Sequence, residues 1–551
     1  MRSNYRMNKA SIYIQLVRGN KTSAITCEEN ESLLHAMNRQ GIYSIATCGG
    51  KGTCGKCLVQ VLAGALEITA QDRKIFNEEE LAKGYRLSCQ AYPKQDCTLR
   101  LLSGDESNFE VISVTDSSND KSISNDDIDD EEYGIAVDLG TTTIAACLVG
   151  LSSKKIIETF TTINKQRVYG ADVIARIKAS NSGKRNLLRN CIRKDLLECL
   201  HQLLLVSGIN PKLVTKIAIA GNTTMGHLLM GYSCMGLGTY PFRSVNIGTI
   251  EKDFKDFFGS NDLEACVTLL PGISAFVGGD ITAGLAVSDF DKSIKPSLLV
   301  DLGTNGEMAI GMKEHILVSS TAAGPAFEGG NISCGVGSVA GAICSVNMEG
   351  SSSSNTTNDI KQPKVSYQTI GGKPPVGICG TGVVEIISEL LRNHLMNASG
   401  LLQEPYFDHG FPITETEKDL PSNEQERAIV FTQKDIREIQ LAKAAIRAGI
   451  ETLISNYGIS YEQIDHVYLA GGFGYKINID KAVHIGLLPE ELSDKIIAIG
   501  NSSLTGAIQY LTDASMKKRL EHIISIAREF NLSEDADFNN RYVQHMNFQR
   551  N

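Results

Sequence analysis

At 551 residues the chain is long enough for more than two domains, and a hydrophobic content of 42% suits a protein that buries a real core. The sequence has no run of 18 or more apolar residues to predict a membrane span, its first fifteen residues lack the apolar stretch of a signal peptide, and no basic patch predicts nucleic-acid binding. Fourteen cysteines without a signal peptide predict a reducing compartment, the cytoplasm.

The first chemistry-bearing motif is cysteine-based. Cys48, Cys54, Cys57 and Cys89 follow C-x5-C-x2-C, with the fourth cysteine 32 residues further on. Four thiolates satisfy a 2Fe–2S cluster, and the plant-type spacing is C-x4-C-x2-C with a distant fourth ligand, so the first gap here is one residue longer. Gly49, Gly50, Gly52 and Gly55 remove side chains where the backbone must curl around a cluster and aim N–H groups at its sulfurs. Zinc is the competing ion, but zinc sites commonly pair two CxxC units and this stretch has one. The other ten cysteines read as buried or indifferent thiols. Strands are predicted at 12–17, 57–64 and 98–102, and with the cysteine loop they resemble a β-grasp ferredoxin over residues 8–103.

Residues 104–132 hold eleven acids and one lysine, a net charge of −10, which leaves 52 bases and 52 acids elsewhere. Such a segment buries too little apolar area to order itself and is predicted to be an extended, self-repelling linker. A serine-rich stretch at 349–363 reads as a surface insertion.

A short phrase is then written twice. YGIAVDLGTTTIAACLVG (133–150) and SLLVDLGTNGEMAIGM (297–312) each run from an apolar strand through Asp-Leu-Gly-Thr into a second strand. Glycine at the turn lets backbone approach a ligand closely, and threonine hydroxyls can bond phosphate oxygens. Aspartate at the strand end can hold Mg²⁺ through water or orient an attacking water. The two aspartates, Asp138 and Asp301, are 163 residues apart, as a duplicated α/β domain with one loop per half requires. HVYLAGGFG (466–474) follows as a strand opening into a double-glycine turn.

This order of motifs resembles the acetate/sugar kinase, heat-shock chaperone and actin superfamily, whose two lobes are built on ribonuclease-H-like sheets with ATP in the cleft. The resemblance implies a first phosphate loop of Asp138, Gly140, Thr141, Thr142 and Thr143, and a second of Asp301, Gly303, Thr304 and Asn305. It places Gly471, Gly472 and Phe473 near the adenosine, and Gly380 and Thr381 at the start of a connecting helix. The implied lobes are 133–295 and 296–545, after the ferredoxin unit and the linker. Asp138 and Asp301 are the candidate catalytic acids.

Other polar residues have plainer readings. Thr223, Thr224 and Asp280 fall at helix starts, which can meet phosphate or simply be capped. Glu328, in PAFEGG, reads as a solvated loop acid, and His227 and His484 as packed or surface imidazoles. Residues 434–458 predict a helix with a core-facing stripe of Ile436, Ile439, Leu441, Ala444, Ala445, Ile450 and Leu453.

A ferredoxin unit, an acidic tether and a two-lobed ATPase in one chain resemble the ATP-dependent reductive activators of corrinoid proteins. TTINKQRVYGADVIARI, GNTTMGHLL, TAAGPAFEGGNISCG, FTQKDIREIQLAKAAIRAG and GNSSLTGA carry the likeness, in order, from about residue 10 to near the C-terminus. The resemblance implies one-electron reduction of inactive Co(II) to Co(I) on a corrinoid methyltransferase protein, coupled to ATP hydrolysis. The implied cofactors are a 2Fe–2S cluster, ATP and Mg²⁺. The implied partners are the corrinoid protein and an external low-potential electron donor, and a homodimer is allowed, with contacts in 350–425 or in the first lobe. Two alternatives stand beside it: a dehydratase-activator-like ATPase, and a non-catalytic, nucleotide-gated binding protein that uses its cluster as a redox sensor.

Overall fold

The computed structural model describes residues 12–18, 21–40, 42, 44, 50, 52–53, 55–102, 130–349, 363–414, 428–472 and 477–548. Cys48, Gly49, Cys54, Phe473, nearly all of the acidic segment and most of the serine-rich stretch lie outside the described residues. Two compact units are formed, the first around an N-terminal sheet and the second around two six-stranded sheets.

The N-terminal sheet has strands β1 (Ile12–Arg18), β2 (Lys21–Cys27), β3 (Leu58–Ala63), β4 (Tyr85–Leu87) and β5 (Cys97–Leu101), in the order β2-β1-β5-β3-β4. β1 and β5 pair in parallel and the remaining neighbours antiparallel. Alternation along β1 sends Ile14 and Leu16 inward, where they meet Leu33 and Met37 of the helix Leu33–Arg39 and Leu99 of β5. A second cluster gathers Leu34, Cys57, Phe76, Leu81, Leu87 and Cys89.

The larger unit repeats one topology. Its first sheet contains β6 (Tyr133–Leu139), β7 (Thr143–Gly150), β8 (Ile156–Ile163), β9 (Val214–Gly221), β10 (Ile250–Asp253) and β11 (Cys266–Leu269), in the order β10-β11-β9-β6-β7-β8. β6, β7 and β8 form an antiparallel meander, while β9 and β11 continue in parallel on the other side of β6. The second sheet opens with β12 (Ser297–Leu302), β13 (Gly306–Met312) and β14 (His315–Thr321). These form the same meander, continued in parallel beyond β12 by Val467–Ala470 and then Ile496–Gly500. β6 and β12 are thus equivalent central strands, each covered on both faces, which explains their unbroken apolar runs.

Two helices join the halves. Gly279–Val287 follows β11 yet reaches β12, and Ser502–Thr512 follows Ile496–Gly500 of the second sheet yet packs on β6 and β9. They cross closely because the contact is made by small residues. A Cβ on Gly506 would lie 2.6 Å from Ala283 Cβ, and one on Gly284 would lie 2.8 Å from Ser502 Oγ. Ala136, Ala218, Ile281, Leu299, Ala309 and Leu504 share one core, so the halves of this unit are packed continuously.

The helix predicted over 434–458 is Gln433–Tyr457. Thr432 caps it by accepting from Asp435 N, and Gly458 ends it at φ 81°. Ile436, Ile439, Ala444, Ala445, Ile450 and Leu453 are buried as expected, but Leu441 is 43% exposed. At 3.6 residues per turn Leu441 falls between the buried Ala444 and Ala445 around the helix, so its exposure is set by what packs on that side and not by the helical period. His227 is a packed imidazole: Nδ1 lies 2.8 Å from Thr223 O, and Nε2 accepts from Val245 N at 2.9 Å. His484 is half-buried, with Nδ1 2.9 Å from Ser388 Oγ.

The crossing predicts a cost for any side chain at its narrowest point. Gly506→Val should destabilise the larger unit by about 1–3 kcal/mol through overpacking, read as a lower midpoint in denaturant unfolding.

Candidate functional site

In the N-terminal unit the loop ahead of β3 is shaped by glycines at positive φ: Gly50 at 84°, Gly52 at 73° and Gly55 at 69°. A side chain at Gly52 would press into Gln90. Gln90 Nε2 donates to Gly50 O at 2.7 Å and lies 3.7 Å from Cys89 Sγ. Cys57 and Cys89 are both buried, and Ser88 N donates to Cys57 O at 2.8 Å, which fixes the two thiols relative to each other. Glycines at positive φ beside two buried thiols fit a cluster with Cys57 and Cys89 among its ligands; Cys48 and Cys54, the other two expected ligands, fall outside the described residues.

In the larger unit the two Asp-Leu-Gly-Thr turns face each other. Thr142 Oγ1, from the β6–β7 turn, is 3.3 Å from Thr304 Oγ1, from the β12–β13 turn. Both hydroxyls donate to Glu328 Oε2 at 2.7 Å. Glu328 is therefore not a solvated loop acid. The sequence hides this because the residue is 24 positions from one threonine and 186 from the other.

The first turn is held from behind. Gly140 admits no Cβ, since one would lie 2.6 Å from Thr143 O. Arg176 Nη2 donates to Thr141 O at 2.7 Å, and Asn164 Nδ2 donates to Gly140 O at 2.9 Å. Two helix-capping asparagines complete the grip. Asn222 Oδ1 accepts from Met225 N, which turns its Nδ2 toward Thr141 Oγ1 at 3.0 Å. Asn501 Oδ1 accepts from Leu504 N, which turns its Nδ2 toward Asp138 Oδ2 at 2.8 Å. Ser503 Oγ takes the other oxygen of Asp138 at 2.8 Å. Asn501 and Ser503 were missed as site residues, yet Gly-Asn-Thr-Thr (221–224) and Gly-Asn-Ser-Ser (500–503) repeat one phrase that marks both caps.

Asp301 faces Glu307 directly across the β12–β13 ladder. Asn305 Nδ2 donates to Glu307 Oε1 at 3.1 Å, and Asp280 Oδ1 accepts from Ile281 N at 2.8 Å. Thr143 opens β7 at the edge of the first turn. Gly471, at φ 102°, lets the strand Val467–Ala470 end against β12, for a Cβ there would strike Leu302 O and approach Asp301. Gly472 has open space around it. Gly380 and Thr381 start the helix Gly380–Arg392, but Thr381 Oγ1 lies 3.2 Å from Cys379 Sγ and, among the described residues, bonds neither Asp-Leu-Gly-Thr turn.

These acids repel one another. Burial first, then the charges of Asp280, Asp138 and Glu328, push Asp301 up to about 8. Burial and the charge of Asp138 raise Asp280 to about 7. Burial, followed by Asp280 and Asp301, holds Glu307 well above the usual carboxylate range. Burial also raises Asp138, against the bonds from Ser503 and Asn501. No lysine or arginine bonds any of these four acids among the described residues, and no three metal-binding side chains there enclose an ion unaided. Such a set fits a divalent cation held largely through water and phosphate oxygens.

Fold and site define a two-part protein, a ferredoxin joined to an actin-like, two-lobed ATPase. Residues 17–94 match the 2Fe-2S iron-sulfur cluster binding domain, 133–293 the RACo middle region, and 295–551 the C-terminal domain of RACo, the ASKHA domain. The chain is 33% identical over 430 residues to the corrinoid activation enzyme RamQ of Eubacterium limosum, covering 76% of this chain and 70% of that one. It is 29% identical over 441 residues to the [Co(II) methylated amine-specific corrinoid protein] reductase of Methanosarcina barkeri, covering 76% and 77%. Among solved structures, a reductive activator for corrinoid,iron-sulfur protein superposes with a TM-score of 0.68 at 27% identity, over 98% of each chain. The chain belongs to the family of ATP-dependent reductive activators of corrinoid proteins. No helix among the described residues is long and apolar enough to cross a membrane.

The Gln90 amide next to Cys89 gives the first test of the cluster site. Gln90→Leu removes an N–H donor near a ligand sulfur and should lower the cluster's reduction potential while iron content stays the same, as read in a redox titration followed by electron paramagnetic resonance.

Proposed function

We propose that this protein restores a corrinoid protein to its active form by returning one electron to Co(II), giving Co(I), with ATP hydrolysis driving the step. The observation that carries the reading is the meeting of Thr142 and Thr304 at the mouth of two equivalent turns, in a chain that also carries a 2Fe–2S domain. When bound, the cluster supplies electrons one at a time. Cys48, Cys54, Cys57 and Cys89 hold it, and an external low-potential donor reloads it.

ATP is needed for a thermodynamic reason. Plant-type clusters lie near about −400 mV, and for one electron each 59 mV uphill costs about a factor of ten in equilibrium. A corrinoid at the Co(I) level is the stronger reductant, so an unaided ferredoxin leaves most cobalt oxidised. Nucleotide can shift that balance only by binding one conformation of the complex better than another.

The chain's own residues divide the work. Thr141, Thr142, Thr304 and the N–H groups around Gly140 and Gly303 bind phosphate oxygens, and Thr143 and Asn305 end the two turns. Asp138, fixed by Asn501 and Ser503, and Asp301, opposite Glu307, hold Mg²⁺ through water. Gly471 and Gly472 leave room for the adenosine beside β12, and Gly380 and Thr381 begin the helix behind it. Arg176 and Asn164 keep the first turn from collapsing.

The reading is tested with anaerobically reconstituted full-length protein, Ti(III) citrate as donor and a Co(II) corrinoid protein, following Co(I) absorbance and phosphate release together. Co(I) should accumulate only when ATP and Mg²⁺ are both supplied. Asp301→Asn should slow phosphate release and Co(I) formation by about a hundredfold or more. Cys89→Ser should abolish Co(I) formation while leaving ATP turnover. Co(I) formation at the wild-type rate by either variant would sink the proposal.

A further inference from the structure

Glu328 has no role in the assignments above. It ends the one-turn helix Pro325–Glu328, bracketed by Gly324 at φ 78° and Gly329 at φ 74°. Ala326 and Phe327 of that turn are buried, so the turn is anchored and its carboxylate is aimed. Oε2 accepts from Thr142 and Thr304 at 2.7 Å each, and Oε1 would lie 3.5 Å from a Cβ placed on Gly303. A carboxylate thus stands where the two phosphate turns converge, at the place a terminal phosphate would reach.

The other cleft acids are differently placed. Asp138 and Asp301 are strand residues, and both oxygens of Asp138 are taken by Asn501 and Ser503. Asp280 is tied to the first turn of its own helix, and Glu307 to Asn305. Glu328 alone among them is carried on a one-turn helix between glycines and faces the hydroxyls of both turns.

We propose that Glu328 is the catalytic base of ATP hydrolysis, a role that rests on the ATPase reading above. The water oxygen bonds to the γ-phosphorus. The bond from that phosphorus to the β–γ bridging oxygen breaks, and its electron pair leaves with ADP. The proton of the water passes to the Glu328 carboxylate and then to solvent, so ATP and water give ADP, phosphate and a proton. Phosphate oxygens take the Thr142 and Thr304 hydroxyls from Glu328, and charge repulsion moves the carboxylate back far enough to admit one water. Gly324, with open space around its α-carbon, is where the backbone can absorb that movement.

The test is Glu328→Gln in full-length, cluster-loaded protein, with steady-state phosphate release measured against ATP concentration in the presence of Mg²⁺ and the corrinoid partner. Glutamine keeps the size and still accepts from both threonines, but it cannot take the proton. The expected result is a kcat about 10²-fold lower or more, with the KM for ATP unchanged within about threefold. Glu328→Asp, which keeps the carboxylate on a shorter arm, should retain more activity than Glu328→Gln. Matching cluster absorption and circular dichroism show that the variants are folded. A Gln variant with wild-type kcat, or with wild-type kcat and a lowered KM, overturns the proposal; the second result makes Glu328 a plug of the empty cleft. Wild-type protein without ATP turnover would instead remove the ATPase reading itself.

Discussion

Four carboxylates, half-buried Asp138, Asp280 and Asp301 and buried Glu307, gather between the halves of the larger unit, and their mutual repulsion is the constraint its surrounding donors answer. Three come from equivalent strand ends or the facing strand, and one from the start of a crossing helix. Burial raises all four, and Asp280, Asp301 and Glu307 are raised further by neighbouring acids. A protein keeps such a cluster at a cost in stability, and sites that do so are commonly sites of function. Here the cost is limited by neutral donors: Asn501 and Ser503 on Asp138, and Asn305 on Glu307.

The duplication explains why those groups meet. Each half supplies a central strand ending in aspartate, a glycine turn and a threonine, and the two helices that cross between the halves bring Asp280 and Asn501 into the same place. The crossing depends on Gly284, Ala283, Ser502 and Gly506, whose small size lets the helices approach. The same two helices carry Asp280, Asn501 and Ser503, so their close crossing is continuous with the residues that hold Asp138.

The ferredoxin unit answers a different constraint. A cluster loop must expose backbone N–H groups without side chains in the way, and Gly50, Gly52 and Gly55 do this in the left-handed region. Gln90 adds a donor that ties the glycine loop to the residue following Cys89. Neither contact can be read from a cysteine count, although the count and the glycine density pointed to the 2Fe-2S domain that residues 17–94 match.

The local chemistry was legible in the sequence: the cysteine spacing, both Asp-Leu-Gly-Thr turns, the double-glycine turn at 471–472, and the long helix with its Thr432 cap and Gly458 stop. These are short-range features, set by backbone conformation and side-chain chemistry within a few residues. Tertiary structure decided the rest. It placed Glu328 on Thr142 and Thr304, turned Asn222 and Asn501 toward the first Asp-Leu-Gly-Thr turn, and left Thr381 on Cys379. It also put Leu441 on the outer face of a helix whose other apolar residues are buried. Partners separated by 363 positions, as Asn501 and Asp138 are, leave no local signature, because only the closure of the sheets and the crossing of two helices brings them within hydrogen-bonding reach.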